Sequence, residues 1–378
     1  MIDLISDTIT MPTKEMMDRI MEAKLGDAGR LDVNGRGEDL TTNELEDLAA
    51  KMTGKEAALF CPTGTMANVT ALLSYCKPGD KVLIEERQHI LRIEKVCFRE
   101  DGFRMVPVTY LLDEDGNPDF ETFEKQLDTE DIRLVTVENT HNFSGGKCTS
   151  LEAMKKIRSM TAERGIPVHM DGARIFNASL TLGVDVRELC DQVDSVMFCI
   201  SKGLGAPIGS LLCGPKKLID AAGEWRSMLG GTMRESGIAA ACGIYALENQ
   251  IERMKEDHAN AKLMADILKD MKILKADPAP QSNILLFDLE RAGITSHEFN
   301  ERLKAKGVRC YLVSDSVARM VFHLGITEED TVKAAEIVLE IDRELADSMN
   351  LIKHYSDRGV ETNGSGIRKD IFKASERK

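Results

Sequence analysis

Residues 196–207, Val-Met-Phe-Cys-Ile-Ser-Lys-Gly-Leu-Gly-Ala-Pro, set an unbroken apolar run against Lys202, with Gly203 and Gly205 behind it. A short apolar run without alternation reads as a strand covered on both faces, the kind a parallel sheet contains. A lysine ending such a run loses hydration that only a partner or a reaction offsets. Either Lys202 swings out to solvent at the strand end, or the chain places an amine where chemistry needs one.

The same rhythm recurs on either side. "AALFCP" precedes the helical "GTMANVTALLSYC", "KVLIEE" follows, and "RLVTVENT" leads into "SLEAMKKIRSMTAERG" before "PVHMD", "SVMFCIS" and "GSLLCG". Strand-sized runs alternating with helix-sized segments predict βαβ units, an α/β fold and a mostly parallel, buried sheet. The last two runs are close enough for a local antiparallel pair or a strand switch. "GRGEDLTTNELEDLAAKMTG" reads as a loop and then a helix, capped by Thr41 or Thr42 and closed by Gly54. A helical stretch runs from about Thr232 to Lys272 with a break near Asn249, and "ADPAPQ" opens a compact α+β unit. The expected organisation is an N-terminal segment over 1–25 packing with the small domain, a large domain over 26–275, a small α+β domain over 276–348, and a polar, poorly ordered tail over 349–378.

Composition narrows the function classes. The 378 residues are 43% hydrophobic and 30% charged, and the net charge of −14 argues against nucleic acid or an anionic membrane as partner. No apolar run approaches the ~18 residues of a membrane span. Nine cysteines without a C-x-x-C pair read as free thiols of a reducing compartment, with neither a disulfide framework nor a metal site. "MIDLISDTIT" has no basic stretch followed by an apolar one and does not read as a signal peptide, so the expected location is cytoplasmic.

Ligands of open α/β sheets bind at the carboxyl ends of the strands. Polar residues follow four of the apolar runs: Thr63, Gly64, Thr65 and Asn68; Glu138, Asn139 and His141; Asp171 and Arg174; Ser201 and Lys202. Singly each has an ordinary structural reading, Asp171 as a helix cap and Arg174 as its ion-pair partner among them. Gly203-x-Gly205 is no dinucleotide fingerprint, because Ile208 holds the third glycine position and Pro207 interrupts the helix start. Together, an anion cradle, a carboxylate and a strand-terminal amine are the groups that a pyridoxal phosphate enzyme needs.

On these residues the chain resembles the low-specificity L-threonine aldolases of the β-eliminating lyase group, enzymes of the aspartate-aminotransferase fold type I. The likeness runs through "LISDTIT", "GEDLTTNELE", "EAALFCPTGTMANVTALL", "VENTHN", "HMDGARIFNA", "SKGLGAPIGSLLCG", "MLGGTMRESGIAAACGIYAL" and "ARMVFHL", most of residues 3–325. It implies a mostly parallel seven-stranded sheet between helices, a smaller C-terminal α+β domain, and bound pyridoxal 5'-phosphate. It casts Lys202 as the Schiff-base lysine, Asp171 as partner of the pyridinium nitrogen and His89 as the imidazole stacked on the ring. Gly64 and Thr65 resemble the phosphate cradle, completed by Arg234 of a neighbouring subunit, and Ser201 and Arg174 are further implied cofactor contacts. Ser6, Arg174 and Arg319 resemble the clamp on the substrate carboxylate, and His141 the group facing the β-hydroxyl. The implied reaction is retro-aldol cleavage of an L-β-hydroxy-α-amino acid to glycine and an aldehyde, with His141 or His89 as base, in a homotetramer built as a dimer of dimers with active sites at subunit interfaces.

The chain departs from the family pattern at the rim. Arg36 stands for a tyrosine before Gly37-Glu38-Asp39, Val96-Cys97 for a glycine pair, Thr232 for a third glycine, and Ser227 for a common lysine. Added cations, Arg36, Arg87 or Arg92, suit an acidic substrate such as 3-hydroxyaspartate, or are simply solvated. β-Elimination or racemisation on the same cofactor is the alternative reaction.

Overall fold

The computed structural model describes residues 1–357, with side chains to residue 350. Seven strands form one sheet in the order Ala57–Cys61, Ser210–Gly214, Ser195–Cys199, Val168–Asp171, Ile132–Glu138, Lys81–Glu85, Val106–Tyr110. Only Ser210–Gly214 runs against its neighbours, so the short connection after Lys202 makes an antiparallel pair.

The unbroken apolar runs follow from burial on both faces. In Ser195–Cys199, Val196 and Phe198 enter a core with Leu45 and Ala240, while Met197 and Cys199 enter another with Ala67 and Ala222. Leu45 and Ala240 belong to the helices Leu40–Thr53 and Gly237–Asn249, and Ala67 and Ala222 to the helices Gly64–Tyr75 and Lys216–Met228. The helix Leu40–Thr53 begins one to two residues before the expected cap. Asp39 caps it, accepting the Thr42 amide at 2.8 Å, because its carboxylate reaches the free N–H groups that Thr41 and Thr42, already inside the helix, cannot cap. The long helical stretch is split as expected after Asn249, into Gly237–Asn249 and Met254–Leu268. It starts later than Thr232, since Glu235 sits at φ 47°.

A second, four-stranded antiparallel sheet, Tyr311–Leu312, Val317–Val321, Ile284–Asp288, Lys275–Ala276, is covered by Met254–Leu268, Ser296–Ala305 and Glu328–Asp357. The first residues serve both sheets' surroundings. Ile2–Asp3 pairs in parallel with Val308–Arg309, and Leu4 enters the small core, whereas Met16 of the helix Lys14–Ile20 enters the large one. The expected tail begins too early at 349. No glycine or proline interrupts 349–357, and the last helix runs on through Asp357; the remainder of that tail lies outside the described residues. No helix among the described residues is long and apolar enough to cross a membrane.

Candidate active site

Six parallel strands end at one edge, and the trailing residues of five of them meet there. A cavity of about 330 Å³ is lined by Thr63, Gly64, Thr65, Asn68, His89, Asp171, Ser201 and Lys202, among others. This size lies at the small end of ligand pockets.

Each side chain arrives for a local reason. Thr63 caps the helix Gly64–Tyr75, accepting the Met66 amide at 3.0 Å, so the helix's free N–H groups face the cavity. A Cβ on Gly64 would stand 2.9 Å from both Cys199 Sγ and Met197 Cε, so glycine lets the helix start lie against the strand end. Asp171, 2% exposed, ends its strand. Its Oδ2 accepts from Asn68 Nδ2 at 2.9 Å and its Oδ1 from the Ala173 amide at 3.0 Å. Gly205, at φ 81°, turns the chain back after Lys202 in a conformation that side chains with a Cβ resist.

Beside the cavity lies a buried cluster of acids and imidazoles. His89 Nδ1 meets Glu94 Oε2 at 3.0 Å. A carboxylate only accepts, so Nδ1 carries the proton and Nε2 is left for the cavity. Burial opposes the charged ring, but the hydrogen bond to Glu94 and the fields of Asp171, Glu94 and Glu138 outweigh it and raise the His89 pKa. Glu138 Oε2 accepts the His89 amide at 2.7 Å and Oε1 the Asn142 amide at 2.8 Å. Burial raises the Glu138 pKa, His141 opposes that rise, and the like charge of Asp171 adds to it.

His141 does not line the cavity. It is buried and bound through Nε2 to Glu85 Oε2 at 2.7 Å, while Nδ1 has no partner among the described residues. Burial again opposes charge there, yet Glu138 and Glu85 raise its pKa and hold the ring toward imidazolium.

The arginines form a second group. Arg174 grips Asp7 through Nε and Nη2, both at 2.7 Å, and its Nη1 reaches Asn142 Oδ1 at 3.1 Å. Despite the desolvation of a fully buried carboxyl, Arg174, Lys202 and Arg319 pull Asp7 down to about 2. Arg319 donates through Nη1 to the same Asn142 oxygen at 2.7 Å and stacks 4.7 Å from the Tyr311 ring centre, while its Nε has no partner among the described residues. Burial and the repulsion of Arg174 lower Arg319 to about 10, against the pull of Asp7. Ser6 caps the short turn Asp7–Ile9, accepting the Thr8 amide at 3.2 Å. Arg234 stands apart, its side chain 78% exposed and paired with Asp27 at 3.4 Å.

Asp7, Glu85, Asn142 and His169 were not foreseen. Glu85 closes the run "KVLIEE" at a strand's carboxyl end, and His169 interrupts an apolar strand, so both left a trace; Asp7 and Asn142 left none beyond their motifs. The rim cations are engaged within the chain. Arg36 grips Asp47 at 2.8 and 2.9 Å, Arg87 Nε reaches Glu85 at 3.2 Å, and Arg92 Nε the Glu86 carbonyl at 3.2 Å.

An amine, a carboxylate, an imidazole and a helix N-terminus around one small cavity fit pyridoxal phosphate, and the sheet order with its single reversed strand is that of the aspartate-aminotransferase fold type. Lys202 and Asp171 sit on neighbouring strand ends, and Gly64 and Thr65 on the adjoining helix start, so the donor set matches the cofactor's aldehyde, ring nitrogen and phosphate in kind. An aspartate aminotransferase from Rhodobacter sphaeroides has the same fold, with a TM-score of 0.69 at 18% identity over 91% of this chain and 92% of its own. A protein described as a putative L-allo-threonine aldolase from Listeria monocytogenes gives a TM-score of 0.71 at 22% identity, covering 91% and 96%. These likenesses show fold type I. The chain is a member of the beta-eliminating lyase family, a family of pyridoxal phosphate enzymes, which matches residues 3–290. It is 39% identical over 345 residues to the low specificity L-threonine aldolase of Escherichia coli K12, covering 89% of this chain and 97% of that one. It is 37% identical over 339 residues to low-specificity L-threonine aldolase 1 of Arabidopsis thaliana, covering 87% and 93%.

The paired geometry of His89 predicts its titration. Because Glu94 favours the protonated ring, Glu94→Gln lowers the His89 pKa, read as an NMR titration whose midpoint moves to lower pH. A midpoint that stays in place contradicts the pairing.

Proposed function

We propose that this chain cleaves an L-β-hydroxy-α-amino acid of the L-threonine or L-allo-threonine type into glycine and an aldehyde by a retro-aldol reaction. The observation that carries this reading is the convergence of Lys202, Asp171, His89 and the start of the helix Gly64–Tyr75 on one cavity. Once bound, pyridoxal phosphate supplies the electron sink that stabilises the carbanion left at Cα. Lys202 is the residue that would hold it covalently, and Asp171 the carboxylate that would favour a protonated ring nitrogen. Gly64, Thr65 and Ser201 would bind the phosphate with main-chain N–H groups and hydroxyls.

Arg319, with an unpartnered Nε, is the main anchor for the substrate carboxylate, while Arg174, two of whose nitrogens are bound to Asp7, flanks it with Ser6. A fixed guanidinium determines which bond at Cα stands across the cofactor plane. His89 Nε2 takes the β-hydroxyl proton when its ring is unprotonated, and the raised pKa makes it the stronger base. His141 has its Nε2 bound to Glu85 and does not line the cavity, so it orients its neighbours rather than accepting that proton. The engaged state of Arg36, Arg87 and Arg92 favours a neutral side chain on the substrate over an acidic one. The names of the bacterial and plant relatives favour aldol cleavage over elimination or racemisation.

Arg234 lies outside the cavity of its own chain and exposed, which supports its completing the phosphate site of a second copy in a homotetramer. Nine free, buried thiols support a cytoplasmic location.

Two experiments test this reading. Incubated with L-threonine, L-allo-threonine and 3-hydroxyaspartate, the protein should release glycine, fastest from the first two; pyruvate or a keto acid without glycine would point to elimination. In sedimentation at assay concentration the active species should be at least a dimer, and an active monomer would remove Arg234 from the site.

A further inference from the structure

From Asn68 on the cavity wall, a file of polar side chains runs inward behind Asp171 and has no role in the reaction just described. Asn68 donates through Nδ2 to Asp171 Oδ2 at 2.9 Å, and its Oδ1 faces His169 Nε2 at 3.1 Å. His169 Nδ1 lies 2.8 Å from Ser195 Oγ, which accepts from the Tyr75 hydroxyl at 3.1 Å. Asn68, His169 and Ser195 are all buried.

Chemistry fixes the direction of the first two bonds in this file. The Asp171 carboxylate only accepts, so Asn68 must turn its amide nitrogen to it and its oxygen to His169. That oxygen needs a donor, so His169 carries its proton on Nε2. The Tyr75 hydroxyl donates to Ser195, which leaves the Ser195 proton for His169 Nδ1, and burial of the ring favours this neutral arrangement. Burial lowers the His169 pKa to about 4, with Asp171 opposing.

The placement of the residues gives the file a purpose. His169 and Asp171 are two apart on one strand and point to the same face, and His169 is in register with Ser195 on the next strand. Asn68 and Tyr75, seven apart, share one side of the helix Gly64–Tyr75, whose start lines the cavity. The file therefore stitches the helix with the anion cradle to the strand with the ring carboxylate at two levels.

We propose that His169 is a positioning residue, a neutral Nε2–H imidazole that, through Asn68, sets the separation and alignment of Asp171 relative to the helix start at Gly64. This inference rests on the pyridoxal phosphate reading of the cavity. His169 acts only through Asn68, and its influence is on how the cofactor is held.

The test combines the wild-type protein with two substitutions. Imidazole ¹⁵N NMR of the cofactor-free protein should show His169 neutral, with its proton on Nε2, at neutral pH. His169→Leu should weaken pyridoxal phosphate binding on the order of tenfold and shift the visible absorption band of the bound cofactor, as loss of an outer partner does at other tightly held groups. His169→Gln, whose amide can still donate to Asn68, should bind within about threefold of wild type and keep its band. A charged ring or an Nδ1–H tautomer overturns the proposal, and so does a His169→Leu protein that binds the cofactor with unchanged affinity and spectrum. Should His169→Leu fail to fold, the wild-type NMR signal still decides. Wild-type protein that takes up no pyridoxal phosphate would refute the reading of the cavity itself, a failure distinct from a wrong tautomer at His169.

Discussion

The site depends on keeping several carboxylates inside the protein at one end of the sheet. Asp7, Glu85, Glu94, Glu138 and Asp171 are all buried, and an ion taken from water without partners costs several kcal/mol. Each is therefore supplied with partners, and those partners are what assemble the cavity wall. Asp7 takes Arg174, Glu85 takes His141 and Arg87, Glu94 takes His89, Glu138 takes two backbone amides, and Asp171 takes Asn68 and the Ala173 amide. Leaving Arg174 buried without Asp7 would cost about 3–5 kcal/mol, so the N-terminal segment is held to the sheet by the same interaction that prepares the carboxylate clamp.

This arrangement divides labour among similar residues. Of two histidines near the acids, His141 is bound at Nε2, whereas His89 is bound at Nδ1 and keeps Nε2 toward the cavity. Of two arginines, Arg174 is engaged by an internal carboxylate and Arg319 retains an unpartnered nitrogen. The difference in each pair comes from the neighbouring acid, not from the residue type. At the rim, Cys97 is buried in a small core with Val82 and Ile90, and Arg36 is tied to Asp47. Cys97 and Arg36 are thereby engaged within the chain, while Val96 beside Cys97 stays exposed.

Much of this was legible in the sequence. The sheet was readable because its strands are covered on both faces and so appear as unbroken apolar runs, and because strand ends in such sheets carry the ligand groups. Lys202, Asp171, Gly64 and Thr65 could be picked out on that rule. What the sequence hid were relations between distant segments. Nothing local to "VENTHN" tells that Glu85 will capture His141, nor does "LISDTIT" reveal that Asp7 will grip Arg174. The helix cap at Asp39 was missed because two threonines beside it cap equally well in isolation, and only the path of the preceding loop decides between them. The last helix was read as ending too soon because a polar composition looks the same in a tail and on an exposed helix face.

The central claim is that the apolar strand Ser195–Cys199 delivers Lys202 to the cavity as the covalent anchor of the cofactor. The most direct measurement is to load the protein with pyridoxal phosphate, reduce it with borohydride, and map the modified peptide by mass spectrometry. The account predicts one stoichiometric pyridoxyl adduct, on Lys202, and none in Lys202→Ala. An adduct on another lysine, or none on a protein saturated with cofactor, would contradict it.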